Sequence, residues 1–158
     1  KASVHVIVND LYDNSLAMVE LQSDRLNSLV ATVMQYGREE NGGIRYMYGI
    51  PVRQALGTAI RGSYNTFLHQ GCGLYLASSS PSRQNITLSA TSYDGSKVLN
   101  GLILSIPANG VLDFDLCSRD AENRYGVLTV ESEHKNSLYA TVVRKGENDS
   151  YRFPTPVR

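Results

Sequence analysis

The sequence predicts an all-β chain, an antiparallel β-sandwich, on three observations. Apolar residues recur with period two: Ile86, Leu88 and Ala90 alternate with Thr87, Ser89 and Thr91, and Leu112, Phe114 and Leu116 alternate with Asp113 and Asp115. That period puts one set of side chains on a buried face and the other in water. Turn-forming residues come at short intervals, as a sandwich of short strands requires. Two stretches of the chain also nearly repeat each other, the mark of a duplicated unit.

About twelve strands are expected, near 3–9, 16–23, 28–36, 44–52, 57–67, 72–77, 85–93, 97–105, 111–117, 126–132, 137–145 and 151–157. In the first, Val4, Val6 and Val8 alternate with His5, Ile7 and Asn9. The second lies in the best helical candidate, Tyr12 to Arg25, where Leu11, Leu16, Val19 and Leu26 also fit a helical spacing. Its counterpart in the repeat, Tyr125-Gly126-Val127-Leu128-Thr129-Val130, is strand-like, so 16–23 is assigned as strand. Asn41-Gly42-Gly43 closes the hairpin between 28–36 and 44–52. Asp94-Gly95 joins 85–93 to 97–105 and is a strong hairpin signal. Pro107-Ala108-Asn109-Gly110 is a turn, and Ser78-Ser79-Ser80-Pro81-Ser82 is a polar connection.

The duplication sets the domain organisation. Residues 27–37 (NSLVATVMQYG) and 136–146 (NSLYATVVRKG) are identical at seven of eleven positions. Each copy runs through a polar turn and a tyrosine-bearing strand to Pro51-Val52-Arg53 or Pro156-Val157-Arg158, the second turn being four residues shorter. A complete module therefore spans 54–158, or 105 residues, a common size for an immunoglobulin-like sandwich. Residues 1–53 are the back half of another, and the two are expected to pack as one unit. Four strands alone would leave an apolar face and open edges. The same chain, upstream residues or a neighbouring molecule in trans must cover that face. Leu29, Ala31 and Val33, with Leu138, Ala140 and Val142, are expected in the core; Asn27 and Asn136 belong in the turns before them. Arg53 and Arg158 end the repeats, either capping a carboxylate at a module junction or simply solvated.

Bulk properties exclude several classes. The 15 basic and 15 acidic side chains cancel, so no field draws nucleic acid or an anionic membrane. No apolar run reaches the roughly 18 residues of a membrane span. The first residue is Lys1 with no leader before it, so a processed or excised piece is expected. Cys72 and Cys117 are either a disulfide or two buried thiols. Ten tyrosines, no tryptophan and low charge suit an exported protein, secreted or at the cell surface.

The runs Ile86-Thr87-Leu88-Ser89-Ala90-Thr91-Ser92-Tyr93-Asp94-Gly95-Ser96-Lys97-Val98 and Leu104-Ser105-Ile106-Pro107-Ala108-Asn109-Gly110-Val111-Leu112-Asp113-Phe114-Asp115-Leu116 together resemble bacterial immunoglobulin-like modules. In these a strand leads through an Asp-Gly hairpin to an "ipa.g...ldl" strand. The resemblance implies export and a structural or adhesive role. The tyrosine-rich Pro-Val-Arg endings depart from it.

No enzyme, cofactor or metal site is expected. His5, His69 and His134 are scattered, without metal-ligand spacing. His69 near Cys72 offers a thiol beside an imidazole, but a disulfide or buried thiol is the plainer reading. Asp113 and Asp115 read as a solvated strand face, and joining them with Asp94 in a calcium site needs a meeting that nothing in the sequence shows. Tyr46, Tyr48, Tyr64, Tyr75, Tyr139 and Tyr151 could stack on sugar rings or anchor a protein interface. The expected function is a non-enzymatic extracellular structural or interaction module: a fibre, stalk or adhesin subunit that meets a protein partner or itself through strand edges. A carbohydrate-binding module with an exposed tyrosine platform is the alternative.

Overall fold

The computed structural model describes residues 6, 18–25, 29–52, 57–120, 122–147 and 150–158. It is all-β and antiparallel, with ten strands among the described residues: β1 (Thr32–Arg38), β2 (Ile44–Pro51), β3 (Ala59–Asn65), β4 (Gly71–Ser78), β5 (Gln84–Ser92), β6 (Lys97–Ile106), β7 (Val111–Asp115), β8 (Tyr125–Ser132), β9 (Leu138–Lys145) and β10 (Arg152–Val157). Ten, not twelve, is a correction. The strand expected at 3–9 lies outside the described residues except for Val6. Residues 18–23, inside the one expected at 16–23, form no strand. The repeat alignment that argued for a strand there pairs Ala17 with Gly126, and β8 earns its strand from neighbours on both sides, β3 and β5.

Two four-stranded sheets pack face to face, in the orders β10-β9-β4-β7 and β3-β8-β5-β6. Their inner faces supply one core. Leu74, Leu76 and Val142 from the first sheet, with Leu116 just after β7, meet Ile86, Leu88, Ile106, Leu128 and Val130 from the second, each 1% exposed or less. Ile86, Leu88, Leu116 and Val142 are positions the period-two pattern marks, while Leu112 and Phe114 of the same pattern are half-buried. The disulfide Cys72–Cys117 joins the start of β4 to the turn after β7. At the seam between the sheets, Arg61 of β3 and Arg158 exchange backbone hydrogen bonds, so the chain end adds to the β3 edge.

The turns form where their residues dictate. Gly95, at φ 83°, donates its N–H to the Ser92 carbonyl at 2.9 Å in the β5–β6 hairpin. Asn136 adopts the left-handed φ of 57° before β9, and its side chain accepts from Gly57 N–H at 2.6 Å. Its counterpart Asn27 lies outside the described residues.

β1 and β2 form a separate two-stranded sheet whose register repeats that of β9 and β10. Thr32 faces Pro51 as Thr141 faces Pro156, and Val33 faces Ile50 as Val142 faces Thr155. The hairpin lies beside β10. Arg152 sits over the Tyr46 ring, 4.1 Å from its centroid, and Tyr48 is only 6% exposed. The expected core face of the first copy is corrected here. Leu29 is 51% and Val33 42% exposed, whereas Leu138, Ala140 and Val142 are buried. No second sheet lies over Leu29 and Val33 among the described residues.

Candidate functional site

The described residues hold one strained, aromatic end of the sandwich. After β3 the chain makes a short turn, Phe67–His69, in which Leu68 and His69 both have positive φ, 58° and 54°. Two consecutive non-glycine residues in that region are costly and need support. The Asn65 side chain accepts from Phe67 N–H at 2.7 Å, and that of Asn123 from Leu68 N–H at 3.2 Å. Thr66 is stitched to Arg124 by backbone and side-chain bonds of 2.7 to 3.1 Å. So held, the turn presents Phe67 and Leu68 to solvent, Leu68 being 76% exposed.

Beside it stands an aromatic row. Tyr93 and Tyr125 stack with centroids 5.0 Å apart, and Phe67 lies 6.1 Å from Tyr125. All three are exposed. Tyr93 ends up there because it begins the Asp94-Gly95 turn, and its N–H bonds the Tyr125 carbonyl at 2.8 Å. Polar groups tie the base of the row. Arg124 Nη1 lies 3.1 Å from Asp94, and Tyr64 donates to Asp120 at 2.7 Å. Hydrogen bonds from the Ser96 hydroxyl and N–H hold the Asp94 carboxyl below its ordinary pKa. Burial, and then the Asp120 carboxylate it bonds, push the Tyr64 phenol well above its usual range.

A groove of about 410 Å³ opens next to the row, at the seam between β3 and β10. Tyr125, Phe153, Arg144 and Thr155 are among its lining residues.

The sequence-predicted tyrosines do not form one platform. Tyr48 and Tyr64 are buried, so neither can face a ligand as an exposed ring; Tyr46, Tyr75 and Tyr139 are half-buried and only Tyr151 is exposed. Tyr46 and Tyr48 stack on each other at 6.2 Å. Burial pushes the Tyr48 phenol up to about 12, a rise that nearby Tyr75 adds to and Arg152 opposes. Tyr151 lies where a Cβ on Gly146 would be, as Tyr46 does for Gly37. Cys72 is bonded to Cys117, which removes the thiol of a Cys–His pair. Asp113 and Asp115 are exposed on β7, and Asp94 is bonded to Ser96 and Arg124 instead. Arg158 is exposed and pairs with no described carboxylate, and Arg53 lies outside the described residues.

Sequence reading missed a polar cluster within the sandwich. Gln84, 1% exposed, bonds Ser78, Ser132 and Ser137 at 2.5 to 3.3 Å. Ser80 Oγ lies 2.6 Å from His134 Nδ1. Ser80 is itself only 3% exposed, so this serine–histidine pair ties two turns together and offers no nucleophile to solvent. The signal was present: a glutamine opening an otherwise apolar inner face needs partners, and the Ser78–Ser82 run supplies them. The exposed row was also readable, because Tyr93 adjoins a hairpin turn and Tyr125 starts a strand.

No protein family, no curated protein and no solved structure matches this chain.

Proposed function

We propose that the chain is an exported, non-enzymatic interaction module of immunoglobulin-like build that associates through the free edge of β1. The observation carrying this is the contrast between edges. Among the described residues β1 pairs with β2 alone, and Leu29 to Gly37 contains no charged residue and no proline. Such an edge is an open template for another strand. β2 also pairs with one strand only, but it carries Arg45 and ends at Pro51, and the edges of the sandwich itself are blunted. β10 carries Pro154 and Pro156, and β7 is short with Asp113 and Asp115. β6 carries Lys97 and a positive-φ Gly101, and β3 is covered by Arg158. In the duplicate, the matching edge of β9 pairs with β4 from Gly71 to Ser78.

The immunoglobulin-like part rests on the β4–β7 and β5–β8 pairings, which resemble the B–E and C–F pairs of that sandwich. The first strand, β3, takes the place of the last one beside β8, and β9 takes the first strand's place beside β4. The disulfide suits an oxidising compartment. Sedimentation across a wide concentration range tests the association. The wild-type chain is expected to self-associate, and Val30→Lys with Met34→Lys, both at exposed positions, to stay monomeric with an unchanged melting temperature. A wild-type chain that is monomeric throughout would sink the proposal.

The row of Phe67, Tyr93 and Tyr125 favours a second reading, glycan binding by ring stacking. Loss of glycan binding in Tyr125→Ala, with the fold intact by circular dichroism, is the outcome this reading expects.

A further inference from the structure

The repeat exposes an anomaly in the second copy. In the first, Gln35 and Tyr48 are cross-strand partners, and the Tyr48 hydroxyl donates to the Gln35 amide oxygen. The same two positions in the second copy hold Arg144 and Phe153, again cross-strand partners. Phenylalanine has no hydroxyl to offer. The guanidinium instead lies over the Phe153 ring, 4.7 Å from its centroid, and its Nε is buried with no hydrogen-bond partner. Arg144 pairs with none of the described carboxylates either. A buried donor without a partner is costly, and in native structures it calls for an explanation.

Its surroundings supply one. Arg144 lines the groove of about 410 Å³ at the β3–β10 seam, within the roughly 300–1,000 Å³ typical of small-ligand sites. Two half-exposed aromatic residues line it, Tyr125 at 53% and Phe153 at 55%. Ser63, Asn65 and Thr155 add hydroxyl and amide groups. Aromatic rings suit the C–H face of a sugar ring, hydroxyl and amide groups suit its hydroxyls, and the guanidinium lining the groove suits a carboxylate. The chain has no net charge to attract anions in general, so selectivity for an acid has to be local.

We propose that this groove binds a carboxylate-bearing pyranose, one acidic residue of a glycan, with Arg144 taking the carboxylate and Tyr125 and Phe153 flanking the ring. This rests on the glycan reading above and sharpens its ligand class. No bond is made or broken.

Calorimetric titration of the full chain with trigalacturonic acid and with its methyl ester tests it. The ester keeps the rings and removes the charge. The acid is expected to bind about tenfold more tightly than the ester, the effect of one charge-assisted contact. Arg144→Gln should erase that difference, bringing acid binding down to the level of the ester. The double variant Arg144→Gln/Phe153→Tyr rebuilds the Gln–Tyr pair already present in the first copy, so it guards against misfolding and should bind like the single variant. Equal binding of acid and ester by the wild type overturns the Arg144 assignment while leaving the glycan reading standing. Binding of neither sugar by the folded chain overturns the acidic-pyranose assignment. Tighter binding of an oligoglutamate peptide than of the acid also overturns it, in favour of an acidic protein segment.

Discussion

The hairpins β1–β2 and β9–β10 are the same hairpin in two settings. They share a pairing register, and in each a tyrosine ring fills the space above a cross-strand glycine, Tyr46 over Gly37 and Tyr151 over Gly146. An added Cβ would meet those rings at 2.3 and 2.4 Å. Their fates differ because of what lies alongside. β9 has β4 on its other edge and a second sheet over its apolar face, so Val142 is 0% exposed; Val33 is 42% exposed. The duplicated sequence therefore encodes strand pairing, while burial is conferred by neighbours that, among the described residues, only the second copy has.

Three measurements press on this contrast. The largest effect is expected at the disulfide, which anchors β4, the strand that embeds β9. Closing a loop with a sequence separation of 45 restricts the unfolded chain by about 4 kcal/mol in the chain-entropy account. Chemical denaturation with and without reductant should show a loss of that order; an unchanged midpoint would mean the sandwich does not lean on the crosslink. Next comes a matched pair of truncations. Leu138→Ala should cost about 3 kcal/mol, as a buried leucine does, and Leu29→Ala under about 1 kcal/mol. Equal costs would show that the first copy is as deeply embedded as the second.

The third effect is alkaline, and of the two hairpins only the first copy carries it, since Phe153 replaces Tyr48 in the second. The folded Tyr48 phenol titrates near 12 against an ordinary 10.0. The unfolded chain thus gives up this proton first as pH rises. Its contribution to stability is complete below about pH 10 and is lost between 10 and 12, amounting to about 2 kcal/mol. Tyr64, raised in the same sense, adds to the same decline. Denaturant midpoints measured from pH 8 to 11.5 should fall along this limb, and more shallowly in Tyr48→Phe. A Tyr48→Phe profile superimposed on the wild type would show that the hairpin opens before its phenol titrates.

Much of the architecture was legible in the sequence. Period-two runs located the β4–β9 strands because those strands have one wet and one dry face. Asp94-Gly95 and Asn136 declared their turns because few residues tolerate positive φ. Burial on the first copy was not legible, since Leu29 and Val33 carry the same pattern as Leu138 and Val142 and no pattern reports which neighbours cover a strand. The tyrosines misled for a related reason. A phenol that alternates along a strand reads the same whether its ring lies under a neighbouring hairpin, as at Tyr48, or out in solvent, as at Tyr125. The groove needed Arg144, Phe153 and Tyr125 together, and strand pairing brings them there from different parts of the chain.

The two hairpins also differ in the turn between their strands. Nine positions separate Gly37 from Tyr46, and five separate Gly146 from Tyr151, yet the strands on either side pair alike. The frame is thus indifferent to what its tip contains. Gly42, at φ 85° with nothing near its Cβ position, sits at that tip in the first copy. An epitope or a fluorophore-bearing residue spliced in there would ride on the molecule without disturbing its pairing. It would report on the first hairpin separately from the sandwich beside it.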